Sequence, residues 1–129
     1  MILGIGVDLV EVARIEQAIG RHGDAFLHRI FTADEIAYCA KMKTPAPHYA
    51  ARFAAKEAVS KAFGTGIGAD FGWRDIEVRR DDSGKPAIVL HGGGADFARA
   101  RGAREIHLSL SHTAAYAVAH VLVEGGERR

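Results

Sequence analysis

The segment His48–Phe63, HYAARFAAKEAVSKAF, constrains the fold more than any other. Alanine and other good helix formers dominate it, so it is read as one long helix closed by Gly64-Thr65-Gly66. Its side chains are otherwise small and apolar, so the helix is expected to be buried, and charges on a buried helix need a partner or a task. Arg52, Lys56 and Glu57 fall within about one turn, and Glu57 and Lys61 stand four apart in the orientation that favours an ion pair. Two readings stay open on spacing alone. One is a solvated charged face, with an ion pair worth about a few tenths of a kcal/mol. The other is a functional cluster ending in a glycine turn whose backbone N–H groups can approach an anion. The preceding Thr44-Pro45-Ala46-Pro47 is expected to be a linker, because proline is rejected from helix interiors.

On the N-terminal side, Ile2–Leu9 reads as a short buried strand and Val10–Gly20 as a helix with Val12, Ile15 and Ile19 on one face. Arg14, Gln17, Ala18 and Arg21 form another face, with Arg29 nearby, suited either to solvent or to an acidic partner helix. Phe26–Arg29 reads as a short helix. Thr32-Ala33-Asp34-Glu35 has the form of a capping box for a helix reaching about Met42. After Gly66 the period changes to two. Asp75–Arg80 and Pro86–Leu90 read as a hairpin around Asp81-Asp82-Ser83-Gly84, and Gly94–Arg101 as a short helix. Ile106–Ser111 and Tyr116–Val123 read as two more strands. The expected class is α+β, an antiparallel sheet packed with helices in a single domain over residues 1–124, with 125–129 as a C-terminal tail.

Composition limits the functions available. The 129 residues suit one domain with a real core, at 48% apolar and 26% charged. A net charge of +1 will not recruit nucleic acid, so anion binding must come from local clusters. No apolar run approaches a membrane span, and the N-terminus lacks the basic start and apolar stretch of a signal peptide. The single cysteine, Cys39, excludes an internal disulfide and suits a reducing, cytoplasmic setting. The seven histidines show no zinc-ligand spacing.

Two further constellations stand out. Asp8 ends an apolar strand in Gly4-Ile5-Gly6-Val7-Asp8, with Glu11 close behind, and serves either as a cap of the next helix or as a metal ligand. Its glycines have neither Walker nor dinucleotide spacing. Ser109-Leu110-Ser111-His112-Thr113 puts His112 at a strand end among hydroxyls, either as a turn histidine or in a site.

In order and separation, these segments resemble the holo-acyl-carrier-protein synthase family of phosphopantetheinyl transferases over nearly the whole chain. The resemblance rests on Gly4–Asp8 leading to Arg14, on Arg52-Phe53-Ala54-Ala55-Lys56-Glu57-Ala58 with Lys61 and Gly64-Thr65-Gly66, on Gly84-Lys85-Pro86, and on Ser111-His112-Thr113. It implies the 4′-phosphopantetheinyl transferase-like fold, a homotrimer with sites between protomers, and transfer of 4′-phosphopantetheine from coenzyme A to a serine of apo-acyl carrier protein in support of fatty acid biosynthesis. It further implies Asp8 and Glu57 as magnesium ligands and Lys61 as the group neutralising coenzyme A phosphates. Gly64, Thr65, Gly66, Lys85 and Pro86 would line the nucleotide, and Arg52 and Lys56 would help hold phosphates. His112 would reach the 3′-phosphate from a neighbouring protomer, and Arg14 and Arg21 would receive an acidic carrier helix. Glu35 is a long-range candidate for the base, although its capping box explains it without catalysis.

Overall fold

The computed structural model describes residues 1–126. The expected α+β class holds. Strand β1 (Ile2–Glu11) is followed by helices α1 (Val12–His22), α2 (Asp24–Ile30), α3 (Ala33–Ala40) and α4 (Pro45–Ala62). After a 3-10 turn at Trp73–Asp75 come β2 (Ile76–Arg80), β3 (Pro86–Leu90), α5 (Gly92–Ala100), β4 (Ala103–His112) and β5 (Tyr116–Gly125). Pairing is antiparallel throughout, in two pieces: a three-stranded sheet in the order β1-β5-β4 and a separate β2–β3 ribbon. The N–H of Gly125 donates to the Met1 carbonyl. The remainder of the expected tail, 127–129, lies outside the described residues.

Helix α4 is the buried element its composition promised: Ala50, Ala54, Ala55, Ala58 and Val59 are fully enclosed. One expectation is corrected. Thr44–Pro47 is not a linker, because α4 begins at Pro45 with Thr44 as its N-cap. The first N–H groups of a helix have no intrahelical acceptor, so proline in that turn forfeits nothing and supplies a helical φ. The Thr32 capping box forms as expected. Glu35 N–H donates to Thr32 Oγ1 at 3.2 Å, and Thr32 N–H donates to Glu35 Oε1 at 2.9 Å.

The inner face of the three-stranded sheet lies on α4. Ala117, Ala119, Val121 and Val123 of β5 are enclosed there. Gly4 and Gly6 of β1 bring strand and helix closer than any side chain would permit. A Cβ on either would stand 2.0 Å from a carbonyl oxygen of α4, that of Ala62 or Ala58. The Gly-x-Gly pattern is thus a packing device, and it fixes where the next inward residue, Asp8, must point. The outer face of the same sheet is apolar and open: Ile5, Val7 and Leu9 are 62%, 56% and 65% exposed.

Gly6→Ala should therefore push β1 off α4. The expected cost is at least about 1–3 kcal/mol, as for other overpacked cores, read from a lower denaturant midpoint. A variant as stable as the wild type would contradict the close approach.

Candidate active site

The alternation of β1 sends Asp8 to the α4 side of the sheet, and its residue distance from α1 removes one alternative. Helix α1 begins at Val12 with Glu11 as N-cap, so Asp8 lies inside the strand and caps nothing. Its carboxylate is mostly buried and accepts a 2.7 Å hydrogen bond from Lys61 Nζ, which also donates to the Val7 carbonyl at 3.3 Å. Glu57 stands one turn before Lys61 on α4 and lines the same cleft as Asp8. This cleft, about 490 Å³, also takes in Arg14, Phe26, Phe53 and Tyr116.

Electrostatics tie the three charged groups together. Burial first, and the Asp8 charge second, push the Glu57 carboxyl above the usual glutamate range, with Lys61 opposing. The hydrogen bond to Asp8 raises the Lys61 ammonium, although the side chain is half exposed. Two carboxylates facing one space repel, and Lys61 bonds only one of them. Hard oxygen donors of this kind are what magnesium takes, with substrate phosphates completing its shell. The donor set therefore fits that ion.

Helix geometry divides the central cluster. Arg52 and Lys56 are four apart on one face, whereas Phe53, Glu57 and Lys61 repeat every four residues on another. Lys56 is consequently turned inward. Its ammonium is fully buried, pairs with Glu35 at 2.8 Å, and donates to the carbonyls of Trp73, at 3.1 Å, and Ile76. All three donors of the ammonium are used, which corrects the phosphate-holding role expected of Lys56. Glu35 is removed from the catalytic candidates for the same reason. Only 1% exposed, it serves the capping box and Lys56 and accepts from the Val78 N–H at 2.8 Å. The Lys56 proton is held less firmly than usual, because burial outweighs the attraction of Glu35.

Arg52 is also enclosed, and its guanidinium lies 4.4 Å over the Tyr38 ring. It lines a second, smaller pocket with His48, Arg80, Pro86 and His112 that shares no residue with the first. Lys85 is exposed beside Pro86, after Gly84, whose φ of +87° closes the hairpin turn. Gly64 and Gly66 take φ of +77° and +69° in the loop that ends α4, and Thr65 Oγ1 donates to the Gly66 carbonyl at 2.8 Å. Arg14 and Arg21 are exposed two turns apart on α1, and only Arg14 reaches the cleft. Sequence reasoning missed the apolar walls Phe26 and Phe53, and placed Tyr116 with His112 instead of in this cleft. Phe53 carried a signal, since it lies four residues before Glu57 on the same helical face.

Residues 4–120 match the family model described as the 4′-phosphopantetheinyl transferase superfamily. A holo-[acyl-carrier-protein] synthase of Koribacter versatilis is 52% identical over 124 residues, covering 96% of this chain and 99% of the relative. The crystal structure of holo-[acyl-carrier-protein] synthase from Neisseria meningitidis superposes with a TM-score of 0.90 at 35% identity, covering 96% of this chain and 99% of the other. The Bacillus anthracis enzyme, solved in complex with CoA (3′,5′-ADP), gives a TM-score of 0.81 at 41% identity, covering 98% and 99%.

A carboxyl with a raised folded pKa binds its proton more tightly folded than unfolded. Its contribution to stability is greatest below the ordinary glutamate range and is lost as the pH rises through the raised folded value. At neutral pH without metal, ionised Glu57 is thus a burden on the fold. Glu57→Gln is expected to raise the Tm in EDTA at pH 7, with the gain shrinking toward about pH 4. Thermal scans at both pH values check this, and a lower Tm at pH 7 contradicts the repulsion.

Proposed function

The chain belongs to the 4′-phosphopantetheinyl transferase superfamily, and we propose that it is a holo-[acyl-carrier-protein] synthase, moving 4′-phosphopantetheine from coenzyme A to a serine of an apo-acyl carrier protein in the service of fatty acid synthesis. The observation that carries this reading is the convergence of Asp8, Glu57, Lys61 and Arg14 about one cleft, reached from β1, α4 and α1. Asp8 and Glu57 would hold magnesium. When bound, that ion supplies charge neutralisation on the pyrophosphate oxygens of coenzyme A.

The chain's own residues have separate tasks. Lys61 puts a fixed positive charge beside the carboxylates, where negative charge gathers as the bond between the β-phosphorus and the bridging oxygen breaks. The carrier serine oxygen forms the new bond to that phosphorus, and adenosine 3′,5′-bisphosphate leaves. The Gly64–Gly66 loop and the Lys85-Pro86 turn line the nucleotide, and Arg52 and His112 receive its 3′-phosphate. Arg14 and Arg21, two turns apart on one exposed helix face, dock an acidic carrier helix.

The same layout supports an assembly with sites shared between protomers. The Asp8–Glu57 cleft and the Arg52–His112 pocket are separate in one protomer, so a coenzyme spanning both kinds of site takes one from each of two protomers. The exposed band of Ile5, Val7 and Leu9, continued on β5 by Leu122 and Val118 with His120 between them, is the surface a homotrimer would cover. Among the described residues no helix is long and apolar enough to cross a membrane. Cys39 is a free, buried thiol pushed up to about 11 by burial, which suits a cytoplasmic enzyme.

The direct test mixes the protein with coenzyme A, magnesium and apo-carrier. A carrier mass gain of one phosphopantetheine is expected, with a loss of at least about 100-fold in rate for Asp8→Asn at unchanged fold. Hydrolysis of coenzyme A without carrier modification would overturn the reading. Arg14→Glu should raise the KM for the carrier by about tenfold or more and leave that for coenzyme A within about twofold. Equal losses for both substrates would contradict a docking role.

A further inference from the structure

The second pocket contains a residue that neither the motifs nor the proposed reaction uses. His48, in the first turns of α4, faces His112 at the end of β4 with ring centroids 5.2 Å apart and planes at 64°. Arg52 stands one turn further along α4, and its Nη1 donates to the His48 carbonyl at 3.3 Å. Arg80 enters from β2, held by Tyr38 Oη at 2.7 Å and the Gly84 carbonyl at 2.6 Å. Ala51, Pro86 and Leu110 complete a space of about 180 Å³.

Three features point to an anion. Four groups that are or can become cationic line this space, and among the described residues no carboxylate does. Arg52, only 2% exposed, has a buried Nε with no hydrogen-bond partner among the described residues, a costly arrangement for a guanidinium unless something accepts from it. The titratable and charged groups facing His48 are His112 of β4, Arg52 of α4, Arg80 of β2 and the Tyr38 ring of α3, whose centroid lies 6.3 Å from that of His48. Burial first, and then His112, Arg52 and Arg80, hold the His48 proton off. An arriving dianion reverses that balance, and a protonated imidazole gains a charge-assisted hydrogen bond.

We propose that His48 is a second imidazole ligand, beside His112, for the terminal phosphate monoester of the coenzyme, and that it sets the preference for coenzyme A over 3′-dephospho-coenzyme A. The proposal rests on the coenzyme reading above. His48 takes up a proton as the phosphate binds, so this preference weakens as pH rises.

The test compares KM for coenzyme A and for 3′-dephospho-coenzyme A from about pH 6 to about pH 8, either side of the ordinary histidine range. For the wild type, the KM for 3′-dephospho-coenzyme A divided by that for coenzyme A should fall by about fivefold or more across this range. His48→Phe keeps the ring against His112 and should flatten the slope, raising KM for coenzyme A at the acid end while moving that of the dephospho form by less than about twofold. His48→Gln retains a donor without titrating. It should give a pH slope as flat as that of the phenylalanine variant, with tighter binding of coenzyme A at about pH 8. Calorimetry of adenosine 3′,5′-bisphosphate in buffers of different ionisation enthalpy should show proton uptake by the wild type that both variants reduce. An unchanged ratio and slope in both variants overturns the role of His48 while leaving the transferase reading intact. Failure of coenzyme A itself to serve as a substrate overturns both together.

Discussion

The contact between β1 and α4 underlies everything else. Gly4 and Gly6 let the strand lie against the carbonyls of Ala62 and Ala58, a separation that no Cβ tolerates. With that distance set, the strand's alternation points Asp8 at α4, and the turn of the helix presents Glu57 and Lys61 to it. Two carboxylates more than forty positions apart thus face one cleft because two glycines carry no side chain. The like-charge repulsion built in this way is tolerable only beside Lys61 and a cation, which is how a site stores affinity for an ion.

Behind this cleft is a second polar layer that holds α4 in place. Lys56 fixes the helix to α3 through Glu35 and to the Trp73–Ile76 segment through two carbonyls. Trp73 stacks on Phe53 at 4.9 Å, and Phe53 is a wall of the cleft. Glu77, also buried, joins Thr32 at 2.8 Å, His91 at 2.7 Å and Arg79 at 3.1 Å. Burial alone would push its carboxyl up, but these partners hold it below the usual range. Such pairs contribute little net stability, but removing one partner strands a buried charge, so their effect is to specify position.

Much of this was legible in the sequence. The capping box at Thr32, the Ala-rich α4, the period-two strands and the central acid–base cluster follow from local propensity and spacing, which the structure obeys. The direction each charge faces did not. Helical spacing puts Arg52 and Lys56 on one face and Glu57 and Lys61 on another, but only the packing of α3 and β2 against one face and β1 against the other decides what each face meets. Pro45 and Pro47 were misread because proline is punctuation inside a helix yet innocuous in its first turn. His48 gave no signal, since its partner is 64 positions away and pairs with it only through tertiary structure.

The central claim is that Asp8 and Glu57 share one divalent ion. Calorimetric titration of magnesium into the protein, with coenzyme A present, tests it most directly. The wild type is expected to bind about one ion per protomer, and both Asp8→Asn and Glu57→Gln are expected to lose that binding while remaining folded. Magnesium uptake unchanged in either variant would contradict the shared site.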